Sequence, residues 1–156
     1  MRWRDERGAV GGLEVLPFAF LVFVAGTLLV ANAWAVVQGK VAASAAAREA
    51  ARAFVESPGP AGPALEEATA AAASAIEGHG GDPARMRIEP VGRLSFSRCA
   101  RATFEVRYSV ATVNVPWIGA FGRGFVTTTA RHSEVVDPYR SGVPMEGGGE
   151  GVRCDA

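Results

Sequence analysis

Cysteine and histidine are scarce in this sequence. The 156 residues include two cysteines, Cys99 and Cys154, and two histidines, His79 and His132. None of them shows the close paired spacing that zinc sites use. There is no G-x-S-x-G nucleophile elbow and no phosphate-cradling G-x-x-x-x-G-K-S/T. His79 falls in a glycine-rich turn and His132 in a β-patterned stretch. No catalytic constellation emerges, so no cofactor, metal or small-molecule substrate is expected. Charge is the other absence. Val15 to Gly39 is a run of 25 residues with no Asp, Glu, Lys or Arg.

At 1.5 Å of helical rise per residue that run spans about 37 Å, more than a hydrocarbon core of about 30 Å. It reads as one transmembrane helix. Arg2, Arg4 and Arg7 precede it, and basic residues hold a short tail in the cytoplasm. The expected topology is therefore a basic cytoplasmic tail over 1–12 and a C-terminal part outside the plasma membrane. A cleavable signal peptide is the alternative, with Ala31-Asn32-Ala33 or Ala33-Trp34-Ala35 as the site. It needs an apolar middle of only about 7–15 residues. Here the helix-favouring sequence continues from Lys40 to Glu56 with no Pro or Gly. One helix over 13–56 is expected, in lipid over about 15–39 and in water above.

The net charge is zero, but its distribution is uneven. Glu56 to Ala84 holds five acidic residues and no Lys or Arg, whereas Arg85 to Arg131 holds eight arginines against Glu89 and Glu105. The acidic helix, the acidic tail after Arg131 and the basic sheet are expected to lie near one another, or the basic block to meet an acidic partner or an anionic surface polymer. Outside the cytoplasm, nucleic acid is not an expected partner. Cys99 and Cys154 both follow the span. In an oxidising compartment they would pair with each other, with free thiols or intermolecular pairing as alternatives.

Ser57 to Pro63 packs three prolines and two glycines into seven residues and reads as a linker. A second helix is expected over 64–77. Leu65, Ala68, Ala72 and Ile76 share its face, and Gly78 ends it. From Arg85 the pattern turns to β. Ala102 to Val113 alternates, with Phe104, Val106, Tyr108 and Val110 on one face and Thr103, Glu105, Arg107 and Ser109 on the other. Phe125 to Val136 reads as its partner. A shorter strand covers Met86 to Val91, with an extension toward Phe96. The expected fold class is α+β: a long N-terminal membrane helix, then a small extracellular domain over 64–140 with one helix packed on a three-stranded antiparallel sheet. A flexible tail over 141–156 follows. The connection Asn114 to Gly124 carries Trp117, Ile118 and Phe121 among Gly and Pro. It either completes the core or forms a contact for a partner or the membrane interface.

Glu6 to Glu56 also carries a resemblance. A basic tail with Gly8 is followed by Glu14, Leu16-Pro17, long aliphatics and, beyond the span, Ala47-Arg48-Glu49-Ala50-Ala51-Arg52. With a threonine-rich last strand running into His132 to Arg140, this resembles the TadE/TadG-like family of actinobacterial type. Its members are small membrane-anchored proteins that help to build Tad (Flp) pili. The resemblance implies a pilin-like helix and a non-enzymatic, minor pilin-like subunit in pilus assembly. It implies partners among pilus assembly or pilin-like membrane proteins, and prepilin peptidase if the N-terminus is processed.

Gly8, Ala9 and Val10 are the candidate processing site. The family places Gly just before the cut and Glu five residues after it; counted back from Glu14, that position holds Ala9. Glu14 is the candidate assembly carboxylate, pairing with a neighbour's N-terminal amine; otherwise it rests at the interface near Arg4 or Arg7. Gly26, Ala31 and Ala35 are candidate helix-packing positions. Arg48, Glu49 and Arg52 form either a solvated collar or a docking face. The alternative function is a single-pass anchored extracellular binding module unrelated to pili.

Overall fold

The structure, a computed structural model, describes residues 15–113, 124–144 and 154. Helix α1 spans Val15–Glu56 without a break, about 63 Å at 1.5 Å per residue. It stops where the sequence predicts, because Pro58 disfavours helical backbone at Ser57. Its last carbonyls are not left open. The Arg140 guanidinium donates to Glu56 O at 2.7 Å and also to Ser57 O. A cation at a helix C-terminus both satisfies those groups and suits the dipole.

Helix α2 spans Ala61–Gly78 and opens three residues before the expected start. Pro63 does not prevent this, since the first turn of a helix has no intrahelical use for its missing N–H. Its buried stripe is Ala64, Ala68, Ala72 and Ile76. Leu65, expected on that stripe, is only half-buried, because strict four-residue spacing places Ala64 there instead.

Three strands follow: β1 Met86–Pro90, β2 Arg101–Ala111 and β3 Phe125–Val135. They form an antiparallel sheet in the order β1-β2-β3. In register, Val106 faces Ile88 on one side and Ala130 on the other. β1 does not extend toward Phe96. Pro90 cannot donate to the ladder, and Gly92 turns the chain at φ 82°.

The architecture is the expected α+β, with a finer arrangement. The helix that lies across the sheet is the upper half of α1, over β2 and β3, while α2 packs along α1 and reaches the sheet at β1. The alanines explain this. Ala42, Ala43, Ala46, Ala47, Ala50 and Ala51 are all buried, so α1 presents small residues over a wide arc. Sheet and second helix can both approach it closely. The approach is tightest at Gly39, where a Cβ would lie 2.0 Å from Val110 Cγ2. Near the top of the domain, Phe54 fills the remaining space. Its ring sits edge-on to Phe96 and Phe104, with centroids 5.6 and 5.5 Å away. The C-terminal segment expected to be flexible from Ser141 is partly tied down. Val143 is buried, and Arg98 N–H donates to Pro144 O at 3.0 Å.

Candidate functional site

The lower half of α1 is bare. Phe18, Phe20 and Phe23 are each about 70% exposed, and Leu16, Leu21 and Leu29 nearly as much. Val15–Glu56 is a candidate membrane span by length and apolarity. A shallow groove of about 610 Å³ runs along one side of this segment, between Val22, Phe23, Gly26, Val30, Ala31 and Trp34. Gly26 forms its open floor, since nothing lies within 4 Å of the position a Cβ would take. The three predicted helix-packing residues therefore separate. Gly26 and Ala31 line the groove, while Ala35 is half-buried against the chain's own core.

Above the bare half, the sheet closes on the helix through polar contacts that pattern reading missed. Asn32 is buried, and its amide bonds both backbone groups of Val113: Nδ2 donates to Val113 O at 3.2 Å, and Oδ1 accepts from Val113 N–H at 2.7 Å. Lys40 Nζ donates to Thr129 O on β3. Asn32 and Gln38 are the two side-chain amides of the uncharged run, and Asn32, the deeper of them, was the available signal.

The Ala47 to Arg52 motif divides by face. Its alanines are buried in the core, Arg48 is exposed and Glu49 is half-buried. Arg52 pairs with Glu56 at 3.0 Å. Cys99 and Cys154 are joined by a disulfide. Cys99 adopts the left-handed region at φ 64°. Cys99 N–H donates to Val136 O at 3.0 Å, which holds this corner beside the end of β3.

The expected proximity of acidic helix and basic sheet takes a different form. Glu66, Glu67 and Glu77 lie on the exposed side of α2, and the described residues show no ion pair between them and the sheet arginines. The arginines instead occupy the solvent face of the sheet. There Glu105 accepts from Arg107 Nε at 2.7 Å and from Arg131 Nε across the strand pair. Thr103 and Ser133 hydroxyls meet beside them at 2.8 Å. At one end of this face, a pocket of about 570 Å³ is lined by Arg85, Arg87, Arg107, Ser109, Phe125 and Thr127. The Arg85 guanidinium sits over the Phe125 ring, 5.5 Å from its centroid.

The hydrogen bond from Arg107, then that from Arg131, holds the Glu105 carboxyl below the usual carboxylate range. A carboxyl depressed on folding stabilises the fold above its unfolded pKa, and that contribution disappears as pH falls through the folded pKa. The unfolded value is about 4.3. Glu105→Gln should therefore be less stable than wild type at pH 6–7, with the gap closing below about pH 4. Urea midpoints of both proteins across that range check this. Both guanidiniums face water, so the effect is modest and weakens with salt.

The candidate processing residues Gly8, Ala9 and Val10, the carboxylate Glu14, and Trp117, Ile118 and Phe121 lie outside the described residues. Among the described residues, no group of three or more His, Cys, Asp or Glu is arranged to hold a metal ion. In comparisons with known proteins, no family model, no curated protein and no solved structure matches the chain.

Proposed function

We propose that this chain is a non-enzymatic, membrane-anchored, minor pilin-like protein that acts in the assembly of a Tad/Flp-type pilus. One observation carries the reading. A single unbroken helix is bare and apolar over its lower half and forms the core of a small α+β domain over its upper half. Such a helix can pack beside other membrane helices below while the domain makes protein contacts above. The motif from Ala47 to Arg52 and the Glu14-Leu16-Pro17 pattern supply the resemblance that names the pilus system. The arginine-rich tail favours a cytoplasmic N-terminus. The disulfide favours an oxidising compartment for the domain. The proposed partners are pilin-like or pilus assembly membrane proteins, and prepilin peptidase for a processed form.

The groove at Gly26 gives the test. A photo-crosslinking residue at Thr27, in cells that make the pilus, is expected to yield an adduct with another single-span pilus component. The same residue at Glu67, on the exposed side of α2, gives no such adduct. Adducts with lipid alone at position 27 count against assembly through this helix.

A second reading, an anchored extracellular module that binds an acidic ligand or wall polymer, is favoured by the arginine-lined pocket beside Phe125. Salt-sensitive retention of the full-length protein on such a polymer, lost in Arg87→Glu, would support it.

A further inference from the structure

We propose that the bilayer ends at Asn32 rather than at Gly39, and that the lower end of the sheet rests on the membrane surface as a second lipid contact. This rests on the membrane-anchored reading above and deepens it. The sequence leaves the boundary open, because an uncharged run of about 37 Å exceeds the hydrocarbon core by about 7 Å. The structure divides that run. From Val15 to Ala31 every residue is exposed except half-buried Leu28. These 17 residues make about 25 Å of helix. The shortfall against a core of about 30 Å is within the thinning a bilayer accepts at modest cost.

At Asn32 the environment changes. The end of a strand can come down to a bilayer only if its backbone groups are paired, because unpaired N–H and C=O groups are costly in lipid. Val113 lies two residues past the end of β2, and Asn32 pairs both its backbone groups with one amide. From there helix and strand rise together. Gly39, seven residues above Asn32, is about 10 Å up the helix. Its contact Val110, three residues from Val113, is about 10 Å up the strand. Lys40, with its charge on Thr129 O, lies about 12 Å above Asn32. The helix beyond Asn32 is thus already covered by the protein's own sheet on one side and no longer presents a full circumference to lipid.

The rim at this level has interfacial composition. Trp34, Val113 and Phe125 are all more than half exposed. Trp34 is about 3 Å above Asn32. Phe125, paired with Ala111, is about 7 Å above Val113. The headgroup layer is itself about 5–8 Å thick on each side, and aromatic side chains collect there. The Arg85 guanidinium, over the Phe125 ring, sets a cation at the top of this rim. The lipid surface is the occupant that fits: an apolar rim continuous with the bare helix, topped by a cation.

Single cysteines at Val24, Val30, Val37 and Val41, in the full chain with its native disulfide intact, test the depth. The probe is a membrane-impermeant maleimide applied to sealed vesicles with the domain outside. Val24→Cys and Val30→Cys should label only after detergent, whereas Val37→Cys and Val41→Cys label at least ~10-fold faster in intact vesicles. Protection of Val37→Cys equal to that of Val30→Cys would overturn the boundary while leaving the anchor in place. Labelling of Val24→Cys without detergent, in protein that pellets with the vesicles, would sink the anchored reading itself. The seat of the sheet is read separately. A fluorophore on Phe125→Cys should be quenched by headgroup-level spin-labelled lipid at least ~2-fold more than one on Ala70→Cys. Equal quenching would remove the second contact.

Discussion

Phe54→Ala is expected to cost the domain about 3–5 kcal/mol, the usual loss for a buried phenylalanine. Phe54 is fully buried and joins three parts of the chain. It comes from α1 and meets Phe96, in the connection after β1, and Phe104, on β2. Removing it leaves a cavity that alanine-rich α1 cannot fill, because Ala47, Ala50 and Ala51 carry only methyl groups, which cannot swing into the gap. A domain of this size holds about 5–15 kcal/mol in total, so the variant should sit close to unfolding. The urea midpoint falls while the slope stays constant if the native and unfolded states are otherwise unchanged. Phe54→Leu should recover part of the loss, retaining bulk but losing about 0.5–1.5 kcal/mol for each of the two edge-on ring contacts. A shift under ~1 kcal/mol for the alanine variant would mean that this part of the core is not packed as described.

Reduction of the Cys99–Cys154 bond is the second large effect. The bond closes a loop with a sequence separation of 55, and chain-entropy arithmetic gives about 4 kcal/mol as a ceiling. Within that loop lie β2, β3 and the C-terminal segment whose Val143 reaches the core. Opening the bond frees that segment in the unfolded chain. It also releases the left-handed Cys99 corner beside Val136. A double Cys99→Ser, Cys154→Ser protein should lose about 2–4 kcal/mol, within the range for native disulfides. Reductant should lower the wild-type urea midpoint and leave that of the double variant unmoved. Equal midpoints for wild type with and without reductant would show that the bond does not tie the fold.

Much of this fold was legible in the sequence because its signals are local. The alternation of Phe104, Val106, Tyr108 and Val110 marks a strand by itself, and Pro58 ends α1 without help from elsewhere. What escaped depends on partners far along the chain. Alanine looks alike on every side of a helix, so the stripe from Ala42 to Ala51 could not say where α1 faces the sheet and where it faces α2. Gly39 is meaningful only once Val110 is against it. Asn32 meets Val113 across 81 residues, and Arg140 caps α1 across 84. No window of sequence contains both members of either pair. The charge pattern was incomplete for the same reason. α2 does reach the sheet at β1, but its acids and the sheet arginines each turn toward water, and Glu105 is the acid that Arg107 and Arg131 share. Of the candidate site, the bare lower helix and the disulfide pair were visible beforehand. The sheet-to-helix clamp and the arginine pocket were not, because each is assembled from separate elements.

The assembly role is tested by counting surface fibres by electron microscopy in a pilus-making host lacking this chain. The fibres are expected to disappear or fall at least ~10-fold, and a wild-type copy to restore them. Fibre number and length unchanged by the deletion would contradict a role in assembly and leave the anchored binding module as the reading to pursue.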